Sequence, residues 1–235
     1  MNKTRVIPEP HRYAVCAPAD IPIKTFYKGV FDEVFIFLHP FIKPITIDIE
    51  SFYPDTYPCK NDVIRTCELI TWTEFLKLSC IRDFRQLDIG LRTMILGLRK
   101  QFANEHLAKV IKDTCEQKKL VPPTEGCLPE LLTNRLLQAV KNEGHDWFWV
   151  GDEFCTERKL EYIDDLVKDN DPFGNQHLNL FTHDNKILFT THWDSHFSMV
   201  CSDKDTINKI VDYCNLEGFY CDEQTEIYWS CQDEQ

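Results

Sequence analysis

The chain has 235 residues, 43% of them hydrophobic and 27% charged, which suits a globular protein able to bury a sizeable core in one large domain or two small ones. No run of about 18 apolar residues offers to span a bilayer, and the opening stretch MNKTRVIPEPHRY lacks the apolar centre of a secretory signal, so a cytoplasmic protein with no membrane partner is expected. The net charge of −12 is uneven: residues 82–119 hold nine Lys/Arg against five Asp/Glu, whereas residues 143–235 hold six against twenty-one, a local net of −15. A field of that sign disfavours nucleic acid and favours a basic protein or a metal ion as partner.

Taken in order, residues 1–30 carry Pro8, Pro10, Pro18 and Pro22 and read as irregular chain. Residues 34–38 (VFIFL) fit a buried strand closed by His39-Pro40, with His39 in a structural role, and Pro44, Pro54 and Pro58 keep the chain irregular to about residue 60. Helices follow. Thr71 or Thr73 caps one running to about residue 81, and Asp88 caps a second in which Leu91, Met94, Ile95, Leu98 and Phe102 recur at helical spacing. A continuation over 104–120, ended by Pro122-Pro123, turns Leu107, Val110 and Ile111 inward. Arg92, Arg99, Lys100, Lys109 and Lys112 are assigned to the solvent side of these helices.

Residues 128–142 form a further amphipathic helix with Pro129 in its first turn, stopped by Gly144, and residues 145–150 (HDWFWV) read as an aromatic-rich core strand. Asp152 then caps a helix reaching about residue 168. On it Glu153, Glu157 and Glu161 recur at i, i+4, so that Asp152, Glu153, Glu157 and Glu161 offer an acidic face for a partner, or a carboxylate ligand or base.

Residues 177–183 and 186–201 are read as two strands joined by a tight turn at Asp184-Asn185, both of which tolerate positive φ. Pairing His183 with Lys186 sets Leu180 opposite Phe189, Leu178 opposite Thr191 and His177 opposite His192. The second strand alternates an apolar and a polar face, although a bulge at Asp194-Ser195 would break the register beyond Trp193. Asp203 or Asp205 caps a helix through residue 214, and residues 218–221 and 226–230 make a last hairpin. The fold class is therefore α+β: a helical N-terminal half packed on a mostly antiparallel sheet formed largely by the C-terminal half, covered on one face. The chain is taken as one domain over 1–235, which would divide, if at all, into 1–143 and 144–235.

His192-x-Asp194-x-His196 is the clearest ligand-like pattern. In a straight strand His192 and His196 are roughly 13 Å apart, so all three share an ion only across a bend. A trio of His177, His192 and Asp194 avoids that difficulty, and two histidines with a carboxylate leave positions open on zinc or iron for an activated water. The eleven cysteines are odd in number, show no C-x-x-C and read as reduced core thiols. Dinucleotide-binding, P-loop, α/β-hydrolase and zincin motifs are absent.

The segments WVGDEFCTERKLEYIDDL, HWDSHF and LEGFYCD, spread over roughly the last 90 residues, resemble an uncharacterised bacterial family of unknown function, and the resemblance brings no activity with it. The expected function is a non-enzymatic binding or regulatory module, in the manner of an immunity protein, whose acidic surface takes a basic partner. The opposing class is a metal-dependent hydrolase with its ion on the 177–196 hairpin.

Overall fold

The computed structural model describes residues 14–154, 156–173 and 178–231, so Pro8 and Pro10 lie outside the described residues. A short helix, α1 (Ile23–Tyr27), leads into β1 (Glu33–Leu38) and β2 (Phe41–Pro44). Then come α2 (Lys60–Thr66), β3 (Cys67–Ile70), α3 (Trp72–Leu78), α4 (Phe84–Met94), α5 (Glu105–Lys118) and α6 (Glu130–Asn142). The remainder runs β4 (Trp147–Gly151), β5 (Arg158–Tyr162), α7 (Ile163–Lys168), β6 (Asn179–Phe181), β7 (Leu188–Thr191), β8 (Phe197–Ser202), α8 (Lys204–Cys214) and β9 (Gly218–Tyr220). No helix among the described residues is long and apolar enough to cross a membrane.

Among the described residues seven strands form one antiparallel sheet in the order β5-β4-β6-β7-β8-β1-β9, and β2 pairs with β3 in a separate ribbon. The fold is α+β as expected, with six of the seven strands drawn from the C-terminal half. β1 is the exception: it lies between β8 and the edge strand β9, so the N-terminal half supplies an interior strand.

Both faces of this sheet are covered, not one. Val34, Ile36 and Leu38 of β1 join Leu188, Phe197 and Met199 in a core under α1, α3, α4 and α5, through Tyr27, Trp72, Phe75, Leu87, Leu91 and Ile111. The alternate residues Phe35 and Phe37 join Phe148, Leu180, Phe189 and Val200 under α6, α7 and α8, through Leu136, Val140, Ile163 and Ile207. This is why VFIFL is apolar without alternation.

The polar residues of β7 and β8 are buried as well and satisfy one another. The Thr191 and Ser198 hydroxyls lie 2.6 Å apart and His39 Nε2 is 2.7 Å from Ser198 Oγ, while His39 Nδ1 reaches the Thr124 carbonyl at 3.3 Å. Thr190 Oγ1 donates to Asn179 Oδ1 at 2.6 Å. Such hydroxyl relays let a two-sided core strand carry threonine and serine without an orphaned group.

The helix starts follow capping chemistry. Thr71 and Glu74 form a reciprocal capping box on α3, and Glu217, brought in by β9, accepts from the Trp72 and Thr73 amides at 2.6 and 3.0 Å. Asp83, not Asp88, caps α4, because its side chain takes the Gln86 amide at 2.9 Å, while Asp88 sits inside the helix. Of the helix expected from Asp152 to about residue 168, only the end forms, as α7; the chain before it is the β4–β5 hairpin. Trp147 faces Tyr162, their rings 5.0 Å apart, and Trp149 faces Leu160 across it, and these cross-strand pairs outweigh the i, i+4 carboxylate pattern. The last hairpin is also absent: after β9 the chain turns at Asp222 and closes on a single 3₁₀ turn, Trp229–Cys231.

Two consequences are measurable. At Gly218, a Cβ would lie 1.9 Å from the Ile36 carbonyl oxygen and 2.8 Å from the Phe35 ring, so β9 docks only on a bare glycine. Gly218→Ala is expected to lower stability by about 2 kcal/mol or more, read from urea denaturation midpoints. His39 is fully buried, and burial pushes its pKa down to about 4 despite the opposing Thr124 carbonyl. The unfolded chain therefore takes up this proton near pH 6.5 and the native chain only near pH 4. Between those limits falling pH should remove about 3 kcal/mol of stability through His39, and His39→Gln should make that part of the profile shallower.

Candidate functional site

The stretch read as one long strand over 186–201 is a hairpin: β7 and β8 pair antiparallel with Thr191 opposite Ser198, and His192 to His196 form the connecting loop. A turn closed by the Ser195 amide on the His192 carbonyl at 3.1 Å supplies the bend that a straight strand lacks. The earlier hairpin holds its expected register, with Leu180 opposite Phe189 and Asn185 at φ 56° in the turn. His177 lies outside the described residues, and so does its pairing with His192.

The loop is seated on a buried guanidinium. Arg92, expected on the wet side of α4, is fully buried, and its donors are taken on every side. Nε donates to Asp88 Oδ2 at 2.9 Å, one terminal nitrogen to the Asp194 carbonyl at 3.0 Å and carboxylate at 3.4 Å, and the other to Ser195 Oγ and the Ile227 carbonyl, both at 2.8 Å. The Tyr228 and Phe197 rings lie 4.7 and 5.4 Å from its central carbon. Asp88 also accepts from the Ser230 hydroxyl at 2.6 Å, while its second oxygen has no hydrogen-bond partner. The fork of donors explains why arginine and not lysine suits this place.

Asp194 is held from three directions. His192 Nδ1 touches one oxygen, the Tyr228 hydroxyl donates to the other at 2.8 Å, and Arg92 stands behind. Burial alone would raise its pKa, but the hydrogen bonds from His192 and Tyr228 and the Arg92 charge bring it below the usual carboxylate value. His196 points inward; burial, then the neighbouring His39 and Arg92, push its pKa down to about 3, and its Nδ1 has no hydrogen-bond partner. Thus His192 and Asp194 meet, whereas His196 does not complete a ligand set with them. The described His, Cys, Asp and Glu atoms that converge within 4.8 Å of one another are those of His145, His183 and Asp184.

Beside Asp194 opens a cleft of about 740 Å³ between the end of α4, the His192–His196 loop and the C-terminal segment. Leu96, Phe102, Trp193 and Tyr228 supply apolar wall, and Asp20, Glu125, Asp194 and Glu226 outnumber Arg99 as charged lining. Trp193 is 55% exposed there and Leu96 86%. Leu96 also carries strain. The Leu96 and Gly97 amides close on the Thr93 and Arg92 carbonyls at 3.2 and 2.9 Å, the helix-ending pattern that ordinarily places glycine where Leu96 stands, at φ 61°.

The acidic quartet is dispersed. Asp152 accepts from the Thr156 amide and hydroxyl at 2.7 and 2.6 Å and so shapes the β4–β5 turn, with Glu153 and Glu157 beside it, while Glu161 is on β5 paired with Lys159. They share no helix face. The ten cysteines among the described residues are free, and burial pushes the thiols of Cys115 and Cys214 up to about 12. The sequence does not reveal that Arg92, Asp88 and Tyr228 meet in this network. The i, i+4 spacing of Asp88 and Arg92 was the available signal, but a solvent-side pair has the same spacing.

Removing Arg92 would leave Asp88 without its countercharge in a dry site. Arg92→Met is expected to destabilise by about 3 kcal/mol or more in urea denaturation, and Asp88→Asn in the same chain to restore part of the loss. A loss below about 1 kcal/mol would show that the network carries little.

The resemblance read in the last 90 residues extends over most of the chain. The chain is similar to "Uncharacterized protein YwbB" of Bacillus subtilis (strain 168), 23% identical over 181 residues that make up 75% of this chain and 79% of that one. No solved structure matches. A family model described as "Protein of unknown function (DUF2711)" matches residues 19–231, and the chain belongs to that family.

Proposed function

We propose that the protein is a non-catalytic binding module whose cleft beside Asp194 takes a small organic cation, an amine carried on an apolar or aromatic body. The observation that carries this reading is the composition of the cleft, in which exposed Trp193, Leu96 and Phe102 stand among four carboxylates and one arginine. Aromatic faces and carboxylates together suit a hydrophobic ammonium, since ring quadrupole and negative charge attract the same group. A cavity of this size accommodates a metabolite-sized ligand.

Two further features support a binding role over a catalytic one. Asp194 is fixed by His192, Tyr228 and Arg92, so it serves as a stationary negative charge and not as a proton carrier. The rim is held at a conformational cost: an L-residue in the left-handed region is strained by about 1–2 kcal/mol, and here that strain turns a leucine outward at the mouth. The acidic cleft keeps the preference for a basic partner that the charge distribution suggests, but narrows it to a small cation.

Titration with phenethylamine, followed by tryptophan fluorescence, is expected to show saturable binding, with phenylpropionate, the same body bearing a carboxylate, binding far more weakly. Trp193→Ala should abolish most of the response. Leu96→Gly should separate stability from binding: relief of the backbone strain raises stability by about 0.5–1 kcal/mol, while affinity falls. Equal response to amine and carboxylate, or binding indifferent to both substitutions, would sink the reading.

A further inference from the structure

We infer that His145, His183 and Asp184 form a divalent-metal site, with zinc as the best-suited ion, at the end of β7 opposite the His192–His196 loop. One nitrogen of each imidazole and one oxygen of the carboxylate lie within 4.8 Å of one another, and the two rings are 6.0 Å apart at 72°. These residues come from separate places, His145 from the α6–β4 junction and the other two from the β6–β7 turn, so their convergence is a product of the fold.

Both supporting turns are fixed by their own hydrogen bonds. Gly144 ends α6 at φ +95°, its amide on the Lys141 carbonyl at 2.9 Å and the His145 amide on that of Val140 at 3.3 Å. This left-handed position admits glycine readily and sets where His145 leaves the helix. Across from it, Thr182 Oγ1 accepts from the amides of Lys186 and Ile187, both at 3.1 Å, and the Asn185 amide returns to the Thr182 carbonyl at 2.9 Å. A site on backbone held in this way loses little freedom when an ion arrives.

The chemistry of the donors is consistent. Among the described residues neither imidazole makes a hydrogen bond, so their nitrogens are open to an ion. The Lys186 amide donates to Asp184 Oδ1 at 3.3 Å, which orients the carboxylate. Lys186 Nζ stands 3.5 Å from the second carboxylate oxygen on an exposed, mobile-length side chain and can swing aside. Two imidazoles and one carboxylate fit zinc or a neighbouring late first-row ion, with the remaining positions left to water. The ion would tie the α6–β4 junction to the β6–β7 hairpin.

Calorimetric titration of the reduced full chain with Zn²⁺ is the primary test, with Co²⁺ absorption reporting the ligand type. One ion per chain is expected, with visible Co²⁺ bands of nitrogen and oxygen ligation and no thiolate charge-transfer band. His145→Ala and His183→Ala should each weaken binding by about tenfold or more, the scale that even a supporting group of a metal ligand reaches. Both positions lie in solvent-accessible turns, and far-UV circular dichroism verifies that the variants keep the fold. Undetectable binding, a thiolate band, or binding unchanged in the His145→Ala/His183→Ala double variant would overturn the assignment.

Discussion

A guanidinium with no access to water must find acceptors for five N–H groups, and that requirement shapes the end of the sheet. Arg92 finds them on α4, on the His192–His196 loop and on the C-terminal segment, which share no local sequence contact. Each segment is bent toward the arginine: the loop presents the Asp194 and Ser195 acceptors, and the C-terminal segment gives up strand geometry to present the Ile227 carbonyl and the Ser230 hydroxyl to the network. A hydrophobic cluster of equal size would have stabilised as well, but would not have dictated which atoms face which.

Fixing the floor in this way leaves the adjoining cleft with two kinds of wall. Asp194 and Tyr228 are immobilised by the network, whereas Leu96, Trp193 and Phe102 stand out into solvent. Binding to a preformed charge below and adjustable apolar groups above requires little ordering of the floor, so most of the interaction is available as affinity. The proposed site at the other end of β7 is of a different kind, built from turn residues, and between the two runs a strand whose four residues are all buried.

What could be read from the sequence was what local rules decide. The Asp184-Asn185 turn and the Leu180–Phe189 register followed from turn chemistry and side-chain alternation, the helices around residues 72–78 and 204–214 from caps, and helix around residues 105–118 from apolar spacing. Where tertiary partners decide, local rules failed. A run of alternating residues over 186–201 has the same pattern whether it continues straight or folds back at its polar centre, because both halves of a hairpin alternate. Glu153, Glu157 and Glu161 have helical spacing, yet the tryptophans before them find better partners across a hairpin. Arg92 looked like a surface residue because lysines and arginines nearby are surface residues. Nothing local distinguishes the one whose acceptors arrive from more than 100 residues away.

The placement of β1 between β8 and β9 also bears on how the molecule is made. Phe35 finds its sheet partners at Val200 and Tyr220, so the strand with the most apolar sequence is synthesised long before either neighbour exists. Contacts of such separation slow folding, since a long loop must close before they form. During that interval VFIFL, uncharged and without proline, is an unpaired β-prone segment of the kind that associates between chains. The segment thus has no sheet partner until β8 and β9 have been synthesised.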